Sequence, residues 1–394
     1  MIHHLITLMW NRKRASALLI TEMVLAFFVL FAVGSLGIYL QRNYQAPLGF
    51  AYENVWELSL NAGSQPRAAQ FGTLVQVLQR LRNTPGVVCV TRTKANTPFT
   101  FNNNTADFDT GKGTKKAYGD IYTAGPELPQ VIDLPLVAGR WFDSRDDVVG
   151  ARPPVVITEM TQTVLFGGHS ALGKFMRVGN DEFRVVGVSG PYRAGGELSD
   201  PQPAAFRYVS PQDTTAQALF NLLVRVQPGA GAVLEKRINE AIRLLGVGWT
   251  SSITTLAENR HTKLKQLLTL PALLGVVCLF LIVNVMLGLF GVLWLNINQR
   301  RGELGVRRAM GATSGAISRQ IVGEILTLTS FGLLLGLILA VQFPLIGVFD
   351  VPAGVYGTAM LLATGVLYAL AAGCALYPSW LAARIQPAVA LREE

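Results

Sequence analysis

Four long apolar stretches constrain the fold of this 394-residue chain more than any other feature. They cover residues 15–40, 267–295, 321–343 and 353–377, and each exceeds the roughly 20 apolar residues that an α-helix needs to cross the hydrocarbon core of a bilayer. Half of all residues are hydrophobic and 15% are charged, where a soluble domain carries about 25% charged residues. The sequence therefore predicts an integral membrane protein with four transmembrane helices.

Basic residues beside these stretches predict the orientation of the chain. Arg12, Lys13 and Arg14 precede the first stretch, whereas residues 344–352 contain no Lys or Arg. The loop between the second and third stretches carries Arg300, Arg301, Arg307, Arg308 and Arg319. Because short cytoplasmic loops retain positive charge, residues 1–14, 296–320 and 378–394 are expected in the cytoplasm and residues 41–266 outside. The first stretch has the basic flank of a secretory signal, but its apolar core is too long, so we expect an uncleaved anchor.

The outer stretch, residues 41–266, carries a mixed pattern of helices and strands. Residues 70–82 and 230–245 place apolar side chains at helical spacing. Strand-like runs occupy residues 55–60, 87–93, 154–158, 183–188, 204–209, 222–226 and 247–252. The predicted fold class is membrane α-helical, with an α+β extracytoplasmic domain inserted between spans 1 and 2.

Within that domain, two strand–helix–strand units are expected to form one subdomain, of about residues 50–96 plus 211–255. An inserted subdomain would cover about residues 97–210. The lone Cys89 has no cysteine partner in the outer stretch, so we expect a buried structural thiol.

No residue pattern predicts catalysis, a metal site or a bound cofactor in this chain. The nearest phosphate-loop candidate, DTGKGTKK at residues 109–116, lacks the required Gly-Lys-Ser/Thr ending. Asp143, Asp146 and Asp147 lack the glycine and terminal glutamate of an EF-hand, and His169 and His261 lie near no serine on a sharp glycine turn. The net charge of +9 is not collected on one soluble face, which argues against a nucleic-acid partner.

Small and charged residues within the spans predict how the helices pack. Gly332 and Gly336 form a GxxxG motif in the third span, which favours close helix contact either within the bundle or between two protomers. Glu22 and Glu324 lie within about two turns of the cytoplasmic end of their spans, where structural roles are expected. The sequence places Glu324 close enough to Arg319 and Gln320 to pair with them.

The strongest functional signal is the cytoplasmic segment NQRRGELGVRRAMGATSGAISRQIVGE, residues 298–324. A loop that only sets the orientation would explain its arginines. It would not explain the apolar residues interleaved with them, which are Leu304, Val306, Ala309 and Met310. A helix that lies on the inner face of the membrane and offers one side to a protein partner explains both.

This segment resembles the corresponding loop of MacB/FtsX-type ABC transporter permeases. The family pattern is an arginine, a Glu-Leu/Ile-Gly triplet, a basic residue and Ala-Leu/Met-Gly-Ala, matched in order by Arg301, Glu303, Leu304, Gly305, Arg308, Ala309, Met310, Gly311 and Ala312. Glu324 matches the glutamate that opens the third span, and the tail matches at Pro378, Arg384, Pro387, Ala390, Leu391 and Arg392. The outer stretch resembles the family's extracytoplasmic domain at residues 139–140, 165–167, 172–174 and 183–188, whereas residues 97–119 match nothing in it.

The resemblance implies a half-permease without catalytic activity of its own. Such a subunit dimerises with a second copy or a paralogue and docks a separate cytoplasmic ABC ATPase, which would hold ATP and magnesium. The expected docking residues are Arg300, Arg301, Glu303, Leu304, Gly305, Arg307, Arg308, Met310 and Gly311. A continuous helix from about Ile253 through the second span would transmit movement to the outer domain. The expected location is the bacterial cytoplasmic (inner) membrane, in contact with lipid and with a periplasmic adaptor or envelope protein as a further partner.

Two other function classes stay open at this point. A non-transporting membrane sensor or scaffold would use the outer domain to bind an envelope ligand or to activate a cell-wall hydrolase. A membrane enzyme is disfavoured because the chain shows no nucleophile, metal or acid–base grouping. Within the permease reading, the sequence does not distinguish peptide or drug export from lipoprotein extraction or hydrolase activation.

Overall fold

The computed structural model describes residues 13–111, 116–147, 152–209, 221–347 and 351–383. The chain divides into two compact units. One is Asn43–Leu267, here called the outer unit, and the other combines Met1–Arg42 with Leu268–Glu394 and is called the membrane unit. The predicted tail residues from Arg384 onward, Arg12, and residues 112–115 of the polar turn lie outside the described ranges.

The described residues form ten α-helices and eleven strands. The helices are α1 (Lys13–Gln45), α2 (Arg67–Arg82), α3 (Leu128–Ile132), α4 (Glu159–Phe166), α5 (Ala232–Leu245), α6 (Leu256–Gln299), α7 (Arg301–Ala309), α8 (Ser314–Ala340), α9 (Gln342–Ile346) and α10 (Ala353–Ala383). The strands are β1 (Val55–Asn61), β2 (Val87–Thr93), β3 (Thr105–Asp109), β4 (Lys116–Ala124), β5 (Leu136–Gly139), β6 (Pro154–Thr158), β7 (Phe175–Val178), β8 (Asp181–Ser189), β9 (Ala204–Tyr208), β10 (Asn221–Val226) and β11 (Thr250–Thr255).

Four helices of the described chain are long and apolar enough to cross a membrane. They are Ala17–Gln45, Leu256–Gln299, Ser314–Ile346 and Ala353–Leu381, which confirms the predicted fold class. Each helical segment extends past the apolar stretch from which it was predicted, because hydrogen bonding continues the helix into polar sequence where hydropathy has already fallen.

The start of α6 differs from the expectation. Ile253 was expected to open the long helix, but it lies in β11 and pairs with Leu58 of β1. The helix begins at Leu256 because Thr255 and Glu258 form a reciprocal cap. The backbone N–H of Glu258 donates to the Thr255 hydroxyl at 3.0 Å, and the backbone N–H of Thr255 donates to Glu258 Oε2 at 2.9 Å. The last predicted strand is thereby displaced from residues 247–252 to Thr250–Thr255.

One layer of the outer unit is a four-stranded antiparallel sheet covered by two helices. The strand order is β11-β1-β10-β2, and the two chain segments that contribute it are far apart in sequence. α2 and α5 pack on this sheet through a buried cluster that includes Leu58, Leu81, Leu222, Ile238 and Ile242. The strands and helices predicted here are confirmed, with ends that shift by up to three residues.

Six of the seven remaining strands close into a ring, and β5 pairs with β8 beside it. β4, β3, β7, β8, β6 and β9 pair in that order, and β9 pairs back to β4 in parallel register. Side chains from all six strands fill the ring, among them Phe108, Ile121, Ile157, Met176, Val185 and Ala205. The ring joins the first sheet where Thr93 of β2 pairs with Ala124 of β4. The division into two subdomains stays a prediction.

Cys89 differs from the expectation of a buried thiol. It is half-buried on β2, and its Sγ lies 3.7 Å from Oε1 of Gln130. Burial raises the pKa of this thiol, and the carboxylate of Glu127 adds to the effect. A thiol held in its protonated form is a poor nucleophile, which agrees with a structural role.

Candidate coupling surface between spans two and three

The short helix α7 is anchored to the membrane unit by one apolar side chain. Leu304 is 6% exposed. It packs in a cluster with residues of α6, α8 and α10, which are Leu293, Ile297, Ile317, Ile321, Ile325, Ala371 and Ala375. Gly305 beside it is also buried. The helix has acidic Glu303 in its first turn and Arg307 and Arg308 in its last, the arrangement that the helix dipole favours.

A polar network beside this cluster also fixes the helix. Arg300 Nη1 lies 3.1 Å from Glu324 Oε2, and Gln320 Nε2 donates to Glu324 Oε1 at 3.2 Å. Gln320 Oε1 in turn accepts from Arg307 Nη1 at 2.8 Å, and Arg307 Nη2 donates to Glu303 Oε1 at 2.6 Å. The network joins α7 to α8 through both ends, so α7 has a defined orientation.

Two helix boundaries replace the single helix expected for this segment. The helix is interrupted at Arg300, between α6 and α7. It is interrupted again after Met310, where Gly311 has a φ of 96°. A non-glycine residue would be strained at that φ. Thr313 then caps α8, because its hydroxyl accepts from the backbone N–H of Ala316. The two breaks separate α7 from the spans that flank it.

The structure places eight of the nine predicted docking residues in two groups of four, and Arg308 lies between them in exposure. Arg300, Leu304, Gly305 and Arg307 face the membrane unit and hold α7 in place. The exposed group comprises Arg301, Glu303, Met310 and Gly311. Arg308 is half-buried, and its guanidinium donates to the Ser314 hydroxyl.

An exposed apolar side chain lies at the C-terminal end of this surface. Met310 is 76% exposed, and Val306 one turn earlier is also exposed. Arg301 and Glu303, in the first turn of α7, are exposed as well, so the exposed residues of α7 combine charge with apolar area. We call the exposed residues Arg301, Glu303, Val306 and Met310 the α7 surface.

Sequence reasoning found only part of the network. Glu324 pairs with Gln320, as expected from their spacing of four residues, but its arginine partner is Arg300 and not Arg319. Arg300 is 24 positions away in sequence, and only the antiparallel arrangement of α6 and α8 brings it there. The sequence did not predict that Gln320 accepts from Arg307 or that Ser314 accepts from Arg308. It also did not predict Thr313 as the cap of α8.

Gly332 and Gly336 lie against the first span within the same chain. A Cβ atom at Gly332 would lie 2.7 Å from Cβ of Met23, and one at Gly336 would lie 2.6 Å from Cδ1 of Phe27. Both distances are well below van der Waals contact, so α8 and α1 approach each other at these glycines as closely as their backbones allow. A Cβ atom at Gly288 of α6 would likewise overlap the carboxylate of Glu22.

The outer unit holds the end of α1 through a buried arginine that the sequence did not single out. The Arg193 guanidinium donates to four backbone carbonyls, those of Asn43, Ala46, Glu197 and Ser199, at 2.7 to 3.0 Å. Burial lowers the pKa of this guanidinium, and Glu197 opposes the shift. Even so, an arginine stays charged at neutral pH. The chain that follows α1 is thus bonded directly to the loop at residues 193–199.

The outer unit holds the first turns of α6 through the same loop and through β1. Arg260 pairs with the Glu197 carboxylate, and Asn259 Nδ2 donates to Glu57 Oε2 at 2.7 Å. The buried Glu57 also accepts from Thr97 and Asn221. Burial raises the pKa of Glu57 although these three hydrogen bonds oppose the shift. Both helical segments that enter the outer unit are therefore hydrogen-bonded into it.

Four apolar helices with an α+β domain between the first and the second define a multi-pass membrane protein. The MacB-like periplasmic core domain family matches residues 16–241, more than half of the chain, and the FtsX-like permease C-terminal family matches residues 275–387. The chain belongs to the MacB/FtsX-like family of ABC transporter permeases.

Relatives of the chain include both long and short proteins. It is 28% identical over 293 residues to the macrolide export ATP-binding/permease protein MacB 1/2 of Paracoccus denitrificans, covering 71% of this chain and 43% of that protein. It is 25% identical over 294 residues to the pyoverdine export ATP-binding/permease protein PvdT of Pseudomonas entomophila, covering 68% and 42%. It is 23% identical over 307 residues to the uncharacterized ABC transporter permease YvrN of Bacillus subtilis, covering 71% and 72%. The chain thus spans less than half the length of the first two relatives.

Proposed function

We propose that this chain is the permease subunit of an ABC system in which a separate cytoplasmic ATPase docks on the α7 surface. ATP hydrolysis by that partner would move the outer unit by mechanotransmission, for export or for handling of an envelope substrate. ATP and magnesium would be bound by the ATPase, and the permease would act as a dimer with a second copy or a paralogue. The location proposed is the bacterial inner membrane with both termini in the cytoplasm.

The observation that carries the proposal is the form of α7. A loop that only marked orientation would need no fixed conformation, yet α7 is held by buried Leu304 and by the network from Arg300 to Glu303. The same helix leaves a large apolar side chain, Met310, exposed, together with the charged side chains of Arg301 and Glu303. Fixed geometry together with an exposed apolar centre is what a specific protein-docking surface requires.

The long helix α6 supports the second part of the proposal. It has 44 residues, which corresponds to about 66 Å at 1.5 Å per residue. Its first turns are bonded into the outer unit through Asn259 and Arg260, and its last residue immediately precedes Arg300 of the α7 network. Pro271 lies inside the helix without ending it. A single element thereby leads from the proposed ATPase contact to the outer unit.

The docking step is tested by placing a charge at the centre of the α7 surface. Met310→Glu should abolish copurification of the ATPase and the stimulation of its turnover by the permease, because the apolar contact would be replaced by a carboxylate that must be desolvated. Leu244→Glu is the matched control: Leu244 of α5 is 80% exposed, comparable to Met310, but lies on a helix of the outer unit. This control should bind the ATPase as the wild type does. Equal binding and turnover with Met310→Glu and wild type would refute docking at α7.

The transmission step is tested by changing the phase of α6 without touching α7. One alanine inserted between Lys265 and Gln266 rotates the two parts of the helix by about 100°. The ATPase should still bind, whereas the export or substrate handling that ATP hydrolysis drives should be lost. The same insertion between Gly229 and Ala230, in an exposed turn, is the control. If function survives the α6 insertion while the ATPase still binds, then a non-transporting sensor or scaffold becomes the better account.

A further inference from the structure

The outer unit contains a cavity that the proposed coupling mechanism does not use. Its volume is about 240 Å³, smaller than the roughly 300–1,000 Å³ typical of sites for drug-sized ligands. It lies entirely within the outer unit, between the loops that follow β2 and β8 and the first turns of α6. The lining residues used below are Asn96, Phe101, Asp120, Tyr122, Tyr192 and Lys263.

One side of the cavity presents hydrogen-bond acceptors and aromatic rings. Asp120 Oδ2 accepts from the Tyr122 hydroxyl at 3.0 Å, and Oδ1 of the same carboxylate has no partner among the described residues. The Tyr192 hydroxyl likewise has none, although the residue is only 7% exposed. Asn96 donates its amide to the Ile121 carbonyl, but its buried Oδ1 accepts nothing. The rings of Tyr122 and Tyr192 meet edge to face, with centroids 4.9 Å apart.

The other side of the cavity presents a buried ammonium. Lys263 is 8% exposed, and its Nζ lies 3.5 Å from the centroid of the Phe101 ring. Nζ donates to the Thr100 carbonyl at 2.7 Å, which uses one of its three N–H groups. No carboxylate within the described residues lies within 4.0 Å of it.

Asp120, which is half-buried, and Lys263, which is buried, are thus two charged side chains with no ion-pair partner within 4.0 Å among the described residues. Burial raises the pKa of Asp120 against the opposing hydrogen bond from Tyr122, and burial lowers the pKa of Lys263. Both shifts disfavour the charged form, and an ion of opposite sign in the cavity would relieve each of them. Arg193 and Asp200 also line the cavity. The four carbonyls engage Nη1 and Nη2 of Arg193 and leave its buried Nε–H without an acceptor, and Asp200 accepts from Asn43.

The charges of the lining therefore favour one chemical class of ligand. Asp120 and Asp200 balance Lys263 and Arg193, so a ligand with net charge gains nothing overall from the site. A ligand that carries both signs can pair with Asp120 and with Lys263 at once, and the aromatic rings beside Asp120 favour a cation at that end.

We propose that this cavity binds a small zwitterion that carries a primary ammonium group. The ammonium donates to Asp120 Oδ1 and the Tyr192 hydroxyl, and the anionic group accepts from Lys263. A free amino acid or short peptide supplies this chemistry with a carboxylate, and an aminophospholipid headgroup supplies it with a phosphate. The proposal goes beyond the coupling function, because binding requires neither the ATPase nor ATP.

Calorimetric titration of the purified full chain in detergent, without ATPase, tests the proposal with two soluble probes. L-alanyl-L-alanine represents the peptide source, and glycerophosphoethanolamine represents the lipid headgroup. At least one should bind saturably with a stoichiometry of one. N-acetylation of the dipeptide, or replacement of the second probe by glycerophosphocholine, removes the primary ammonium and should weaken binding at least tenfold. This comparison uses the wild-type protein and does not depend on the folding of any variant.

Three substitutions locate the site within the protein. Asp120→Asn, Tyr192→Phe and Lys263→Met should each weaken binding at least tenfold, because each removes one contact with a charged group. Asp107→Asn and Lys174→Met are the controls. Asp107 is an exposed carboxylate on the neighbouring strand β3, and Lys174 also lies over a phenylalanine ring, that of Phe166, outside the cavity. Both should bind as the wild type does.

Each outcome either supports or overturns the proposed zwitterion site. Saturable binding of one probe, sensitive to loss of the ammonium and to the cavity substitutions, supports the proposal and identifies the source as peptide or lipid. Binding of both probes supports it with the shared chemistry as the determinant. No saturable binding of either probe overturns it, as does binding that all three cavity variants leave unchanged. None of these results bears on ATPase docking, which Met310→Glu tests separately.

Discussion

The close approach of spans one and three makes a prediction that can be worked out from the contacts. In Gly332→Ala, the new methyl group would lie 2.7 Å from Cβ of Met23 and 3.3 Å from the Ile20 carbonyl oxygen. Met23 is almost fully buried, and its Cβ is fixed by the backbone, so neither neighbour can yield by a rotamer change. The two helices must separate, and overpacking of this kind costs about 1–3 kcal/mol.

The helix itself supplies the matched control for this substitution. Gly323 lies in α8 as well, but a Cβ there would meet nothing within 4 Å. Both alanine variants gain the same improvement in helix propensity over glycine, up to about 1 kcal/mol. The difference in stability between Gly323→Ala and Gly332→Ala therefore isolates the overpacking term, and we expect it to be about 1–3 kcal/mol.

Thermal unfolding of the purified full chain in detergent measures this difference. Gly332→Ala should unfold below Gly323→Ala by about 2–4 °C for each kcal/mol, and Gly336→Ala, which would press on the ring of Phe27, should behave like Gly332→Ala. Equal midpoints for Gly323→Ala and Gly332→Ala would refute the packing argument. A changed dimer fraction at unchanged stability would place these glycines between protomers instead.

Three further predictions concern the polar groups. Arg193→Lys should lower the unfolding free energy by about 2–5 kcal/mol, because a lysine cannot serve four buried carbonyls; thermal unfolding should show no comparable loss in Arg145→Lys, whose arginine is exposed. Glu324→Gln should lower the unfolding free energy by about 1–3 kcal/mol, whereas Glu303→Gln, at an exposed position, should lower it by less than about 0.5 kcal/mol. Equal thermal unfolding midpoints for these two variants would contradict the network described for α7. Because burial raises the pKa of Glu57 above 4.5, the folded chain keeps this proton where the unfolded chain has lost it. The unfolding free energy should therefore fall as the pH rises from about 4.5 towards the raised pKa. If the unfolding free energy of a Glu57→Gln variant falls with pH as steeply as that of the wild type, another group is responsible.

Several elements were readable from the sequence because their signals are local. The four spans follow from apolar length, and seven of the eleven described strands, together with α2 and α5, follow from periodicity. The sequence did not predict β3, β4, β5, β7, α3 or α4. Leu304 and Met310 were both selected as members of an apolar pattern on α7, and the pairing of Gln320 with Glu324 follows from their spacing along one helix. The family follows from motifs that are themselves contiguous in the chain.

Other features depend on which segments meet, and no local pattern encodes that. Arg300 reaches Glu324 because α6 and α8 run side by side, and the closed ring exists because β9 returns to β4. The opposite roles of Leu304, which is buried, and Met310, which is exposed, depend on the face that α7 turns toward the bundle. The cavity was also missed, because Asn96, Asp120, Tyr192 and Lys263 come from four segments that are unremarkable separately.

The sequence by itself determined that the chain spans a membrane four times, that a large α+β domain lies between the first two spans, and that a basic segment with apolar residues follows the second. Hydropathy and periodicity report these features because each arises from neighbours along the chain. Only the tertiary structure decided which side of α7 is exposed and which residues hold the two helical segments in the outer unit. It also decided which charged side chains of the cavity lack a counter-charge. Those properties depend on distances between residues remote in sequence, and such distances are fixed only when the helices and sheets pack.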